Sequence, residues 1–289
     1  MRAHFWRRAA GWMAGGLLAV AVAAAGVVFL GSEYLLRRHH EAPLEAVRVP
    51  VDAAALEQGR LRARLVGCYK GCHGPEAEGT VWVDEPGIAR LTTPNLTQVI
   101  PQYTDAELVR LLRYGVRRDG TTAIGMPSHM FFHLSESDLG AVIAFMRSLP
   151  AREGPKQERH FGWKGRLGLL AGEFPTSVAE VDRSRQRVGA QPATTSTERG
   201  RYIAMITCPE CHGPDLEGYP GDTPPLLIVA AYSFEEFTTL MRTGVAKGGR
   251  DVGLMSYIGR GRTTTLTDQE VADLYAFLQS RLTTGPGPR

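Results

Sequence analysis

The run Cys208-Pro209-Glu210-Cys211-His212 carries the most specific chemistry in the chain. Two cysteines two residues apart, with a histidine directly after the second, are typical of a covalent c-type haem attachment site. Each thiol adds to one haem vinyl group, so both cysteines must lie along one edge of the porphyrin, and the histidine must offer a ring nitrogen to the iron. One turn of helix beginning at Cys208 meets these requirements. The sequence therefore predicts that Cys208, Cys211 and His212 bind a haem.

An earlier run, Cys68-Tyr69-Lys70-Gly71-Cys72-His73, has the same chemistry with one more residue between its cysteines. The longer spacer requires a bulged turn, but the Cys-His pair is intact. We therefore expect Cys68, Cys72 and His73 to hold a second covalent haem. All four cysteines of the chain lie in these two motifs, which leaves none for a disulfide.

Each haem iron also needs a sixth ligand, and a methionine stands in an irregular stretch before the last helix of each half. These residues are Met126 and Met255. A thioether is a soft, neutral ligand, and a Met/His pair raises the reduction potential of haem iron. Met130, His129 and His133 are close enough in sequence to replace Met126, and they remain alternatives.

The free nitrogen of an axial histidine is commonly held by a nearby acceptor, which orients the ring. A loop carbonyl or proline beside each histidine can do this, and Pro94 and Pro225 are the candidates.

Helical patterns surround both motifs. The predicted helices cover residues 53–65, 104–116 and 135–149 in the first half, and 196–207, 233–245 and 267–282 in the second. Asp52 is placed to cap the first helix, and Thr104 with Glu107 predicts a capping box. Ser233 with Glu236 predicts the same box in the second half.

The two halves correspond residue by residue over short stretches. Arg113-Tyr114-Gly115-Val116 matches Arg242-Thr243-Gly244-Val245, and residues 134–145 match 266–277 at the same spacing. Such a repeat predicts two similar small domains, at 51–150 and 195–289, rather than one large domain. We expect the linker between them, residues 151–194, to lie across both domains and fix their orientation.

The N-terminal segment, residues 1–32, is predicted to be a short cytoplasmic end followed by a transmembrane anchor. The run from Ala9 to Ser32 has no charge and is long enough for a helix across a hydrocarbon core of about 30 Å. Basic residues before it favour a cytoplasmic N-terminus. A cleaved signal peptide is the alternative, with small residues at Ala23–Ala25, but the apolar run continues through Leu30. Residues 33–50 are predicted to be a solvated stalk.

On these motifs the sequence resembles membrane-anchored bacterial dihaem cytochromes c built from two class I cytochrome c domains. The resemblance rests on Cys208–His212, Cys72-His73, Pro94-Asn95-Leu96-Thr97, Gly125-Met126-Pro127 and the final helices ending near Arg147 and Arg281. It implies an all-α fold, with an N-terminal transmembrane helix followed by two tandem class I cytochrome c domains. In each domain the N- and C-terminal helices would cross, with a haem in a crevice beneath them.

The resemblance also implies single-electron transfer at the periplasmic face of the bacterial inner membrane. The partners would be redox proteins in or at the membrane, with the lipid bilayer contacted through the N-terminal helix. Six-coordinate iron leaves no open position, so we expect no small-molecule substrate and no catalysis by the chain itself. The alternative function is the cytochrome c subunit of a membrane-bound dehydrogenase or oxidase.

Other classes of function fit the sequence less well. A dihaem peroxidase needs one iron with an open sixth position, which methionines in both halves oppose. Two cysteine pairs can form a four-thiolate zinc site, but the histidine after each pair and the export signal oppose this. The formal charge is only +3, and no basic run is interleaved with aromatic residues, so the sequence does not predict nucleic-acid binding.

Overall fold

The computed structural model describes residues 2–183 and 186–284, in which helices predominate. The first α-helices are α1 (Arg2–Arg37), α2 (Ala53–Leu65), α3 (Leu96–Val99), α4 (Asp105–Tyr114), α5 (Ser128–Phe131) and α6 (Glu136–Ser148). The later ones are α7 (Trp163–Ala171), α8 (Ser177–Glu180), α9 (Ser196–Thr207), α10 (Pro209–His212), α11 (Phe234–Thr243), α12 (Leu254–Arg260) and α13 (Asp268–Thr284). Short 3₁₀ helices cover Ile100–Gln102, Val188–Ala190, Leu226–Ala231 and Thr263–Thr265.

The predicted helix starts are confirmed by the caps in the structure. The Asp52 carboxylate accepts a backbone N–H from the first turn of α2 at 2.9 Å. Thr104 and Glu107 form a complete capping box on α4, and Ser233 and Glu236 form the equivalent box on α11. Each box satisfies two backbone N–H groups that would otherwise lack a helical partner.

The same two helices, α4 and α11, end earlier than predicted, at Tyr114 and Thr243. The next residue in each case is a glycine in the left-handed conformation, Gly115 with φ 69° and Gly244 with φ 73°. Glycine adopts this conformation without steric cost, and it stops the helix there.

A small antiparallel sheet corrects the prediction of an all-α fold. Strands β1 (Val81–Glu85), β2 (Ala89–Thr92) and β3 (Arg159–Phe161) pair in the order β1-β2-β3. The hairpin occupies the glycine- and proline-rich loop after the first cysteine motif, and β3 comes from the linker. The fold is therefore mostly helical with a three-stranded sheet beside the first half.

Two helix pairs cross at a glycine, one pair in each half. A Cβ on Gly59 of α2 would lie 2.0 Å from the carbonyl oxygen of Ala141 in α6. A Cβ on Gly200 of α9 would lie 1.9 Å from the carbonyl oxygen of Asp273 in α13. Each half therefore contains the crossed helices that the resemblance implies.

The two halves share one continuous hydrophobic core. Leu65, Leu139 and Ile143 of the first half belong to the same buried cluster as Ile203 and Leu274 of the second. The division into two domains at the predicted boundaries consequently stays a prediction.

A buried polar network also joins the halves. The Tyr202 hydroxyl donates to Asp138 Oδ2 at 2.6 Å, and Arg62 contacts both Asp138, at 3.1 Å, and Glu270. Burial works against the charge on Arg62, but Asp138 and Glu270 together raise its pKa. Burial and the Asp138 carboxylate raise the pKa of Tyr202, so its hydroxyl keeps its proton.

The linker lies mainly along the first half. Its strand β3 pairs with β2, its helix α7 packs on α1, and Val188–Ala190 packs on α9 in the second half. It thus contacts both halves. Ser184 and Arg185 within it, and residues 285–289 of the predicted second domain, lie outside the described residues.

The segment predicted to be a stalk is held by the first half. Helix α1 continues to Arg37, five residues beyond the predicted anchor. Glu45 then accepts hydrogen bonds from buried Arg113 and from Tyr114. These contacts hold the chain between α1 and α2 against the first half, so it does not behave as a free spacer.

Helix α1 provides a candidate membrane span. An 18-residue window within its stretch Phe5–Arg37 has a mean hydropathy of 2.4, and within the described residues it is the one helix long and apolar enough to cross a bilayer. A signal sequence near the N-terminus can be equally long and apolar, so the helix fits either a transmembrane anchor or a signal peptide.

Gly200→Ala is expected to lower the free energy of unfolding by about 1–3 kcal/mol, as overpacked cores do. The added methyl group meets a backbone carbonyl that cannot move without separating α9 from α13. Chemical denaturation followed by helical circular dichroism measures the loss. Arg201→Ala, at the next and exposed position of α9, is the control, and an equal loss in the two variants would show that the crossing is not tight.

Candidate haem-binding sites

The second cysteine motif forms the single turn that its chemistry needs. Cys208 ends α9 and caps α10, so that Cys211 and His212 follow on one turn. The His212 N–H donates to the Cys208 carbonyl oxygen at 2.9 Å. Burial raises the pKa of the Cys208 thiol to about 12, with a smaller contribution from Cys211. Both sulfurs therefore lie on one local element, and Cys208 is partly buried.

The His212 ring is oriented by a backbone carbonyl. Its Nδ1 lies 2.8 Å from the Pro224 carbonyl oxygen, a contact that places the proton on Nδ1 and leaves Nε2 with a lone pair. The predicted partner was Pro225. The neighbouring residue takes this role because the Pro225 carbonyl accepts the Ile228 N–H at 3.1 Å at the start of a 3₁₀ helix.

The first cysteine motif absorbs its extra residue in a bulged turn. The Cys72 N–H donates to the Gly67 carbonyl oxygen, five residues back, at 2.9 Å. Lys70 within the turn adopts a left-handed conformation, with φ 54°. Burial raises the pKa of the Cys68 thiol to about 12, followed by the effect of Cys72.

His73 makes the same contact as its counterpart in the second motif. Its Nδ1 lies 2.9 Å from the Pro94 carbonyl oxygen, so the residue proposed from the sequence contacts the ring here. Burial lowers the pKa of His73, and the Pro94 hydrogen bond opposes this only in part. The ring is therefore favoured as neutral, the form that binds a metal through a lone pair.

The two candidate methionine ligands lie in different local structures. Met126 stands in the loop before Pro127, where the Trp82 ring of β1 packs over Gly125; a Cβ on that glycine would lie 2.0 Å from the ring. Met255 is the second residue of α12 rather than part of a loop, which differs from the prediction. Both side chains are partly buried against the shared core.

Two of the alternatives to Met126 are already engaged by the protein. Met130 is fully buried in the core, and His133 Nδ1 accepts the Val188 N–H at 3.2 Å. His129 differs, since neither of its buried ring nitrogens has a hydrogen-bond partner in the described part of the chain. Its nearest carboxylate is Glu180, with Nδ1 3.8 Å from an oxygen.

The donor sets fit covalent haem better than zinc. Each motif offers two thiols on one turn and a histidine whose Nε2 is left for iron by the carbonyl on Nδ1. Over residues 2–183 and 186–284, no three His, Cys, Asp or Glu side chains gather as a metal cluster. The four cysteines consequently do not have the arrangement of a four-thiolate zinc site.

Arg262 connects the two motifs, although no pattern in the sequence marks it. Its Nη1 donates to Glu210, the residue between Cys208 and Cys211, at 2.6 Å. Its Nη2 lies 3.3 Å from Cys72 Sγ. The side chain is only 14% exposed, and although burial opposes its charge, Glu210 and Cys72 raise its pKa.

Comparison with protein families defines the class of this site. Residues 197–281, which include nearly all of α9, the second motif and Met255, match the family model described as Cytochrome c. That part of the chain is similar to a cytochrome c domain, and the matched family implies covalent haem c.

The similar curated proteins are more specific. The cytochrome c subunits of alcohol dehydrogenase (quinone) from Gluconacetobacter polyoxogenes and from Komagataeibacter europaeus are each 25% identical over 268 residues. These alignments cover 79% of this chain and 56% of each relative. The corresponding subunit from Gluconobacter oxydans is 28% identical over 179 residues, which is 56% of this chain and 36% of that protein.

The chain thus spans about half the length of the curated relatives it matches. These similarities support the prediction of a cytochrome c. They also agree with the alternative, a cytochrome c subunit of a dehydrogenase.

Proposed function

We propose that the chain is a dihaem c-type cytochrome that transfers single electrons at the periplasmic face of the bacterial inner membrane. The observation that carries this proposal is the repeated contact between each motif histidine and a proline carbonyl, at 2.9 Å for His73 and 2.8 Å for His212. Two cysteine motifs with the same histidine geometry support two haems, although the family match covers only the second motif.

Each site has a full set of protein ligands in this proposal. Cys68 and Cys72 would attach the first haem, and His73 and Met126 would bind its iron. In the second site Cys208 and Cys211 would attach the haem, and His212 and Met255 would bind the iron. The bound haem supplies an iron that alternates between the ferric and ferrous states.

Other residues of the chain position the histidines and methionines that would bind iron. The carbonyls of Pro94 and Pro224 orient the histidine rings, and the shared core packs against the partly buried methionines. A neutral thioether ligand and a buried site both favour the ferrous state, so the protein tunes the potentials rather than making bonds.

The contact through Arg262 supports electron transfer between the two haems. The side chain reaches Glu210 in one motif and Cys72 in the other, so the two attachment turns are neighbours. Electrons would therefore pass between haems within the chain before leaving for a partner.

A dehydrogenase complex is the second candidate setting. The relatives that match 79% of this chain carry the name of a cytochrome c subunit of a quinone alcohol dehydrogenase. A catalytic dehydrogenase subunit would then be the electron donor. Purification of the tagged chain from its own membranes tests this, because a stoichiometric catalytic subunit would copurify.

Two haems per chain are expected when the protein is matured in a bacterial periplasm. The pyridine haemochrome assay measures haem per polypeptide, and intact mass under denaturing conditions counts the groups that are covalently attached. The mass is expected to exceed that of the polypeptide by two haem units.

Matched double variants identify the two attachment sites. Cys68→Ser/Cys72→Ser and Cys208→Ser/Cys211→Ser should each keep one haem. A wild-type protein with one haem, unchanged by the first double variant, would refute the dihaem proposal and leave a single-haem cytochrome c. A protein with no covalent haem would refute the cytochrome proposal itself.

A further inference from the structure

Helix α7 in the linker has a stripe of exposed apolar side chains. Four large members of this stripe are Trp163 at 63% exposed, Leu167 at 42%, Leu170 at 40% and Phe174 at 40%. Trp163, Leu167 and Leu170 are spaced four and three residues apart on one side of the helix. Phe174 follows just beyond the end of the helix at Ala171. The opposite side is covered, since Leu169 is buried in a cluster with β2 and β3.

The helix packs directly on the last turns of α1. Arg166 donates to Ser32 and to Glu33, each at 2.8 Å, and its guanidinium carbon lies 4.3 Å from the centre of the Phe29 ring. A Cβ on Gly31 would lie 3.2 Å from the Leu170 side chain. Hence α7 is fixed against α1 at residues 29–33.

The position of this contact along α1 corresponds to the surface of a bilayer. A helix needs about 20 residues to cross a hydrocarbon core of about 30 Å. Counted from Ala9, where the charge-free run begins, about 20 residues end near Val28. The contact with α7 therefore falls in the headgroup layer on the side where the haem-binding half lies.

We propose that α7 is an interfacial helix that lies on the lipid bilayer, with Trp163, Leu167, Leu170 and Phe174 inserted at the boundary between headgroups and acyl chains. The inference rests on the proposed anchoring through α1. Amphipathic helices with tryptophan, leucine and phenylalanine on one face bind membranes in this orientation. Tryptophan is enriched at this depth because its ring has both apolar and polar parts.

The charges around the stripe fit a lipid surface. Lys164 is exposed beside Trp163, with its Nζ 5.8 Å from the centre of that ring. Its long side chain can keep its apolar part at the boundary while the ammonium group reaches lipid phosphates. Arg37 at the end of α1 is also exposed. Anionic lipids would therefore strengthen the contact.

The membrane contact has a structural consequence for the haem-binding halves. Since α7 is continuous with the cluster of Leu36, Leu91 and Phe161, the sheet is attached to both the anchor and the helix. A helix lying on the bilayer would restrict tilting of the first half about α1. Its haem would thus be held at one height above the membrane.

Lipid photolabelling tests this inference on the full-length holoprotein. The protein is placed in nanodiscs that contain phosphatidylglycerol and a phospholipid with a diazirine near the carbonyl end of its acyl chain. Trypsin then releases residues 167–183 as one peptide for mass spectrometry. We expect labels on this peptide and on α1, and no labels on residues 251–260, which carry Leu254 and Tyr257, both 61% exposed.

The variant Trp163→Glu/Leu167→Glu should reduce labelling of peptide 167–183 by about tenfold or more while labelling of α1 stays unchanged. Both side chains are too exposed for the substitutions to unfold the protein, and Leu282→Glu, at an exposed position of α13, is the matched control.

The outcomes separate this inference from the anchoring it rests on. Labels on α1 without labels on 167–183 would overturn the interfacial helix and leave the anchor in place. An absence of labels from both would refute the anchor. If hydrogen exchange shows that 167–183 is protected only when a second protein is added, the stripe is a protein interface and the lipid proposal is wrong.

Discussion

Met255→Ala is expected to lower the reduction potential of the second haem by about 0.1 V or more, since axial ligation spans about 0.8 V among haem proteins. The thioether is a neutral ligand that favours ferrous iron, and its removal takes this preference away. Met126→Ala should have the same effect on the first haem. Potentiometric titration followed in the visible spectrum measures both reduction potentials. The charge-transfer band of methionine-ligated ferric haem should lose about half of its intensity in each variant, because one of the two haems no longer has a methionine ligand.

The variant His129→Ala is the control that tests which residue is the sixth iron ligand of the first haem. His129 is the one alternative whose ring nitrogens lack a hydrogen-bond partner in the described chain, whereas Met130 and His133 are held by the core and the linker. We expect His129→Ala to leave both potentials unchanged. If it shifts the first potential and Met126→Ala does not, the axial pair of the first haem is His73 and His129.

Local signals in the sequence predicted most of the helices. Asp52, Thr104 and Ser135 each cap the helix that follows them. A capping residue and its partner lie within three or four positions, so this information is available before any tertiary contact forms. The ends of α4 and α11 were less accurate, because the pattern of apolar residues does not show that Gly115 and Gly244 turn into the left-handed conformation.

The sheet could not be predicted from the same local signals. Its strands have three to five residues, and β3 pairs with β2 across the whole of α4 to α6. Its sequence, Arg159-His160-Phe161, has neither a long alternation nor a turn partner beside it. Pairing of this kind is decided by the packing of the first half and its linker, which no window of sequence contains.

At the site, too, the features fixed by neighbouring residues could be predicted, and the contacts between residues distant in sequence could not. The cysteine motifs and their histidines were evident because attachment chemistry fixes their spacing, and Pro94 was named correctly as a partner. The carbonyl that contacts the His212 ring belongs to Pro224 rather than to the predicted Pro225, and Met255 lies in a helix rather than a loop. Arg262 had no signal at all, because its partners Glu210 and Cys72 lie 52 and 190 residues away in the sequence.

Arg262→Met is expected to lower the free energy of unfolding by about 2–4 kcal/mol, because it leaves the Glu210 carboxylate in a partly buried place without its counter-charge. Methionine keeps an unbranched apolar side chain but removes the guanidinium, with its charge and its hydrogen-bond donors. Because the same guanidinium contacts Cys72 and packs over Gly67, its loss should also loosen the approach of the two attachment turns. Denaturation followed by haem absorption measures stability, and rapid partial reduction measures electron exchange between the haems, which should become slower.

Arg260→Met separates this effect from ordinary loss of a surface charge. Arg260 pairs with Asp251 at 3.0 Å, but both side chains are more than half exposed, so its removal should cost about 0–1 kcal/mol. The double variant Arg262→Met/Glu210→Gln should recover part of the stability lost in Arg262→Met, because no unpaired carboxylate remains. Its electron exchange should stay slow, since the contact to the first motif is still missing. Equal behaviour of Arg262→Met and Arg260→Met in both measurements would show that the two attachment turns are held together by the shared hydrophobic core alone.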